Sequence, residues 1–102
     1  MPKGYWIVRL DVTDPEKYKD YLAANVEAFK MYGARHIVRA GKFENPEGTS
    51  MSRNVVVEFP SYEAARECYY SPEYQRAKAF RTPVSSGDLI IIEGYDYPVE
   101  SK

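Results

Sequence analysis

Residues 53–74 read Arg-Asn-Val-Val-Val-Glu-Phe-Pro-Ser-Tyr-Glu-Ala-Ala-Arg-Glu-Cys-Tyr-Tyr-Ser-Pro-Glu-Tyr, and the fold turns on how that stretch divides. Arg53 to Phe59 is rich in β-branched residues and alternates, with Val55, Val57 and Phe59 opposite Asn54, Val56 and Glu58, so it predicts a strand. Pro60 cannot donate to a sheet ladder and ends it. Ser61 suits a helix N-cap, and Ala64, Ala65, Cys68 and Tyr69 supply the inner face of a short helix to about Tyr70. Ser71-Pro72-Glu73 is a fresh succession of cap, proline and acid, predicting a further helical stretch from Pro72 to Arg81.

Upstream, Gly4 to Asp11 alternates Trp6, Val8 and Leu10 with Tyr5, Ile7 and Arg9, which predicts a first strand. Asp14 and Pro15 then open a helix. Tyr18, Leu22, Asn25, Val26, Phe29 and Tyr32 recur at spacings of three and four, and Gly33 stands where a glycine cap belongs. Ala34 to Phe43 predicts a second strand, and Glu44 to Ser52 a loop rich in turn-forming residues. Downstream, Thr82 to Gly87 breaks the pattern and Leu89 to Gly94 predicts a fourth strand. The order β-α-β-β-α-β favours an α+β ferredoxin-like sandwich, a four-stranded antiparallel sheet with helices on one face. Residues 1–95 read as a single domain and 96–102 as a C-terminal tail.

Composition narrows the function. The chain has 102 residues, with 14 Lys+Arg against 15 Asp+Glu for a net charge of −1. A general nucleic-acid binder needs a basic excess on some face, so that class is disfavoured. No apolar run is longer than Leu89 to Ile92, far short of the ~20 residues of a membrane span. The N-terminal Met-Pro-Lys-Gly lacks the apolar core of a signal peptide, so the chain reads as cytoplasmic. Cys68 is the only cysteine, which excludes an internal disulfide and a cysteine-based zinc site. No His/Asp/Glu spacing points to a metal, and neither metal nor tightly held cofactor is expected.

If helices cover one face of the sheet, the other must meet water or another chain. Trp6, Val8, Leu10, Val55, Val57 and Phe59 suit the helix side, and Val38, Ile90, Ile92 and His36 are assigned to it with them. The opposite set carries Tyr5, Ile7, Arg9, Arg35, Ile37, Arg39, Asn54, Val56, Glu58, Leu89, Ile91 and Glu93. An apolar patch of that size on an open face marks an interface, and two-fold pairing with a second copy is the commonest way to cover it. A homodimer through the open sheet face is therefore expected. The usual ferredoxin-like strand order places Tyr5 and Arg35 at the same end as Glu58 and Glu93. Glu58 and Arg39, on adjacent strands, are read as sharing the open face.

The sequence resembles the domain-of-unknown-function 1330 family of the dimeric α/β-barrel superfamily. The resemblance runs from about Gly4 to Gly94. It rests on Gly-Tyr-Trp-Ile-Val at 4–8, Val-Thr-Asp-Pro-Glu-Lys-Tyr at 12–18, Val-Arg-Ala-Gly at 38–41, Val-Val-Glu-Phe-Pro-Ser at 56–61, Ala64-Ala65, Ser-Pro-Glu-Tyr at 71–74, and Glu93-Gly94. Ala34 and Ala40 stand where the family often has glycine, and His36 where an aromatic residue is common. The resemblance implies a homodimer with two sheets face to face and supplies no reaction.

Each candidate site residue has two readings. Glu58, Arg39 and Tyr5 are the candidate catalytic group, because a carboxylate in an inter-sheet space with a raised pKa can act as acid or base. The other reading is that Glu58 and Arg39 make structural ion pairs across a dimer. His36, the sole histidine, is a general base or haem ligand, or else a packed strand-start residue. Arg81 can hold an anion or simply end a helix. Tyr69, with Tyr62, Tyr70 and Tyr74, lines an aromatic-ligand pocket or packs the helices. Cys68 is read as a small buried filler. Three functions follow: a small-molecule enzyme without tightly held cofactor, a binding or sensing module for a small anionic or aromatic molecule, and a purely structural dimer. Glu58→Gln or Arg39→Ala would cost turnover in the first, affinity in the second and only stability in the third.

Overall fold

The computed structural model describes residues 2–96. The elements run β1 (Gly4–Val12), α1 (Pro15–Tyr32), β2 (Arg35–Arg39), β3 (Arg53–Phe59), α2 (Tyr62–Tyr70), α3 (Pro72–Arg81), a 3-10 turn (Thr82–Val84) and β4 (Ser85–Glu93). The strands form one open antiparallel sheet in the order β2-β3-β1-β4, with the helices on one face. This is the ferredoxin-like α+β arrangement, with the second helical segment broken in two. The expected tail lies, beyond Asp96, outside the described residues.

Local chemistry sets the boundaries. Asp14 caps α1 by accepting from the Lys17 amide at 3.2 Å, Pro15 occupies the first turn, and Gly33 closes the helix in the left-handed conformation at φ 71°. Ser61 caps α2 through the Ala64 amide at 3.0 Å. Ser71 serves two helices at once. Its hydroxyl donates to the Cys68 carbonyl at 2.7 Å and accepts from the Tyr74 amide at 3.1 Å, so α2 ends where α3 begins. The core centres on Trp6, 1% exposed, whose ring meets Phe29, Phe59, Tyr69 and Tyr74. Its indole N–H donates to the Ala65 carbonyl at 2.9 Å, which satisfies the one polar atom that burial would otherwise strand.

The structure corrects four expectations. First, β2 stops at Arg39 rather than continuing to Phe43. Ala40 takes φ 55°, the only positive φ among described non-glycine residues, and turns the chain while its amide still donates to the Asn54 carbonyl at 2.9 Å. Second, a bulge interrupts the β2–β3 pairing. His36 opposes Val57 but Val38 opposes Val56, so Val38 moves to the open face and Arg39, opposite Val55, to the helix side. Third, β4 starts at Ser85, four residues before Leu89, and pairs along the whole of β1. Gly87 makes this possible. It sits at φ 151° with its Cα against the backbone of Arg9 and Leu10, where a side chain would collide with the Arg9 carbonyl. The register puts Ile90 opposite Ile7 and Ile92 opposite Tyr5, on the open face, while Leu89 and Ile91 pack toward the core and Glu93 opposes Gly4. That inverts the assignment made from the sequence, since a run of four aliphatic residues has no period from which to read its faces. Fourth, Tyr21 and Ala28 belong to the buried face of α1, and Val26 is exposed.

Candidate functional site

On the open face, the pairing register brings Tyr5 opposite Glu58 and Arg35 opposite Glu58. The Tyr5 hydroxyl donates to Glu58 Oε2 at 3.3 Å, and Arg35 Nε donates to Glu58 Oε1 at 3.0 Å. The Glu58 side chain is 13% exposed and that of Arg35 74%. Partial burial, then the Glu58 charge and hydrogen bond, raise the Tyr5 pKa against the opposing pull of Arg35, so the phenol stays a donor at neutral pH. Farther along the same face, Arg9 meets Asp88 through two hydrogen bonds of 3.2 and 3.1 Å. This fork raises the Arg9 pKa and lowers that of Asp88. Between the two charged groups stand Ile7, Val56 and Ile90, with Val38 beside them on the edge strand and Ile92 next to Tyr5.

The six candidate residues do not form one site. Tyr5 and Glu58 are together on the open face. Arg39 is not with them: the bulge at Ile37 turns it to the other side, where it lies close enough to His36 to help depress the imidazole pKa. His36, Arg81 and Tyr69 are also on the helix side. Tyr69 packs edge-on against Trp6 at 5.8 Å and beside Tyr74 at 5.4 Å, a core position. Arg81 lies over the Tyr21 ring at 5.4 Å and donates to the Tyr74 hydroxyl at 3.4 Å. That hydroxyl is 2.8 Å from the Tyr21 hydroxyl, and burial pushes its pKa far up.

Between α1 and the sheet the packing leaves a cavity of about 20 Å³, room for one water-sized group. Its wall includes Tyr18, Tyr21, Asn25, Phe29, His36 and Arg53. Adjoining it is a groove of about 410 Å³, lined by Val12, Pro15, Tyr18, Lys19, Leu22, Ser52 and Arg53. Tyr18, Leu22 and Arg53 belong to both walls. The Arg53 guanidinium lies over the Tyr18 ring at 5.2 Å. His36, half-buried beside the Phe29 ring at 5.5 Å, has its pKa lowered by burial and then by the charges of Arg39 and Arg53, so it is neutral at pH 7. A neutral imidazole, a buried amide and a guanidinium thus converge on one small space, able to accept, donate and carry charge.

Arg53 and Asn25 were legible as polar residues at inward positions, Arg53 two before Val55 and Asn25 within the apolar face of α1. A buried polar side chain is the informative departure from pattern. Tyr18 carried no signal separating it from ordinary core. Among the described residues, no three His, Cys, Asp or Glu side chains cluster to hold a metal ion. Cys68 is fully buried, its thiol pKa pushed up to about 12 by desolvation, so it is no nucleophile at neutral pH.

Solved structures share this architecture. A protein of unknown function from Rhodopseudomonas palustris is 23% identical, with a TM-score of 0.65, covering 98% of this chain and 84% of that one. SnoaB, a cofactor-independent oxygenase from Streptomyces nogalater, is 14% identical with a TM-score of 0.68, covering 98% and 100%. A dimeric protein of unknown function and ferredoxin-like fold from Bacteroides fragilis is 16% identical with a TM-score of 0.53, covering 89% and 95%. At these identities the likeness establishes the fold alone. No curated protein matches the sequence. The model of the domain of unknown function DUF1330 matches residues 3–95, and the chain belongs to that family.

Proposed function

We propose that the chain is a homodimer, joined through the open faces of two sheets, in which each protomer binds a small organic molecule in the cleft between α1 and its own sheet. The observation that carries the binding site is the shared wall of Tyr18, Leu22 and Arg53, which joins a polar internal cavity to a groove large enough for a small molecule. The dimer is supported by Ile7, Val38, Ile90 and Ile92, all exposed on one sheet face, a patch that two-fold pairing would cover. The Bacteroides fragilis protein of the same fold is described as dimeric.

This reading moves the ligand from the inter-sheet space to the helix side. Both Glu58 oxygens already have donors within their own chain, and Arg39 is on the other side of the sheet. The open-face charges then align the two sheets, and the polar cavity does the binding. Turnover is a second reading of the same cleft, favoured by His36: a neutral imidazole in the cavity wall can take a proton from an acidic group of the bound molecule. SnoaB, described as working without a cofactor on this fold, supports side-chain chemistry of that kind.

Native mass spectrometry beside a denatured control tests the reading. The expected result is twice the 11.8 kDa chain mass, with extra mass lost on denaturation. Leu22→Trp, which fills the cleft, should abolish that extra mass, and Glu58→Gln should leave it. A stable monomer would sink the dimer. Extra mass lost with Glu58→Gln but kept with Leu22→Trp would return the ligand to the inter-sheet space.

A further inference from the structure

The charges of this molecule are unevenly answered. The described ion pairs are Arg9–Asp88, Lys19–Glu16, Arg35–Glu58 and Arg76–Glu27. Arg53 and Arg81 are in none of them. Each also has a buried Nε–H without a hydrogen-bond acceptor, and these two are the only such buried side-chain atoms among the described residues. Both guanidinium groups lie instead over tyrosine rings of α1, Arg53 over Tyr18 and Arg81 over Tyr21. Tyrosine hydroxyls answer part of each group, Tyr74 accepting from Arg81 at 3.4 Å and Tyr18 interacting with Arg53, but a ring face accepts none of the planar N–H forks and neither arginine has a carboxylate partner. A buried donor left unmade costs about 1–3 kcal/mol, and more when it is charged. Two at one interface call for an explanation.

The walls of the cavity and groove supply part of it. They contain Arg53 and Lys19 and no carboxylate at all. Lys19 is answered by Glu16 at 3.2 Å on the surface, which leaves Arg53 as the unanswered charge where cavity and groove meet. Arg81, behind Tyr21, adds a second positive charge that no described side chain neutralises. Apart from Ser52, the rest of the groove is apolar: Val12, Pro15, Leu22 and the Tyr18 ring.

We infer that the cleft takes a small organic carboxylate, its charged end held by Arg53 at the mouth of the cavity and its apolar body lying in the groove along Val12, Pro15 and Leu22. This rests on the binding site proposed above and names its ligand class. A carboxylate offers two oxygens to the fork of a guanidinium and so meets Arg53 in the geometry arginine serves best. The cavity beyond is too small for the body of such a molecule, so the groove must hold it. His36, its pKa lowered first by burial and then by the charges of Arg39 and Arg53, feels the same positive field.

The test compares benzoate with benzamide, a neutral molecule of the same shape, by NMR of the isotope-labelled full chain. Benzoate should shift the amide resonances of Tyr18, Leu22 and Arg53 and the Arg53 Nε–H resonance, and bind at least tenfold more tightly than benzamide. Arg53→Gln should erase that preference. If the variant does not fold, the comparison on the unaltered protein decides alone. Equal affinity for the two compounds at these residues overturns the carboxylate assignment and leaves the cleft a binding site. Failure of both to shift these residues overturns the assignment and the site together.

Discussion

The two faces of the sheet are made from alternate residues of the same strands, and their charges are treated in opposite ways. On the open face the charges of the central strands have partners within the chain: Arg9 forks onto Asp88, Glu58 is shared by Arg35 and Tyr5, and Asp11 accepts from the Ser52 amide and hydroxyl. Aliphatic side chains fill the middle. On the helix face, where burial makes unmatched charge expensive, Arg53 and Arg81 have no carboxylate and keep buried donors open. The first pattern suits the dimer interface proposed above, and the second suits the proposed carboxylate.

The largest effect that sharpens this contrast comes from the helix face. Trp6→Ala should cost about 3–5 kcal/mol, because it removes the ring at the centre of the aromatic cluster and its hydrogen bond to the Ala65 carbonyl. Urea unfolding at fixed protein concentration measures it, and a loss below about 0.5 kcal/mol, the level of exposed sites, would show that the core is centred elsewhere. On the open face, Ile7→Asp should leave the fold and its circular dichroism intact but weaken the dimer by about 2 kcal/mol or more, as a buried interface anchor does. Sedimentation should then show the chain near 11.8 kDa. An unchanged dimer would mean that the partner sits on another surface.

A smaller change acts where β2 leaves the sheet. Ala40→Gly should stabilise the protein by about 1 kcal/mol, since alanine at φ 55° carries a left-handed penalty that glycine avoids. Thermal melts compare the two, and a destabilised variant would place that turn in the ordinary region of backbone space. The smallest effect is the pH dependence of His36. Its folded pKa lies below the ordinary value, so its contribution is whole above about pH 6.5. As the pH falls, the unfolded chain protonates first and stability declines until the folded imidazole also takes its proton. Melting temperatures on either side of that window should fall more steeply on acidification in the unaltered chain than in His36→Gln. Equal slopes would place His36 in contact with water.

What could be read from the sequence follows the range of the interaction that fixes it. Asp14-Pro15, Gly33, Ser61 and Ser71-Pro72 act within a turn or two, and the helices start and stop where those residues place them. Trp6, Val57 and Phe59 declare their face because β1 and β3 alternate cleanly. The faces of β4 did not show, because Leu89-Ile90-Ile91-Ile92 takes its orientation from pairing with β1, far away in the chain. The bulge at Ile37 has no local signature, and it takes Arg39 off the face that Glu58 occupies. The Tyr5–Glu58–Arg35 group was accessible from strand order. The cavity was not, because it depends on how far α1 stands from the sheet, a distance set by tyrosines whose packing and lining roles look identical in sequence.

The strand order has a consequence for how the chain is made. β1, the central strand, is synthesised first and its two partners last: β3 follows it by about forty residues, and β4, which pairs with it from Gly4↔Glu93 to Val12↔Ser85, comes at the far end. During translation the most heavily hydrogen-bonded strand of the finished protein therefore waits with one edge bare until β4 emerges. Closing so long a loop is the slow kind of step in folding. A nascent chain paused before Ser85 should hold the helix-side core loosely and offer an open strand edge to chaperones, and completion of β4 should end that exposure at once.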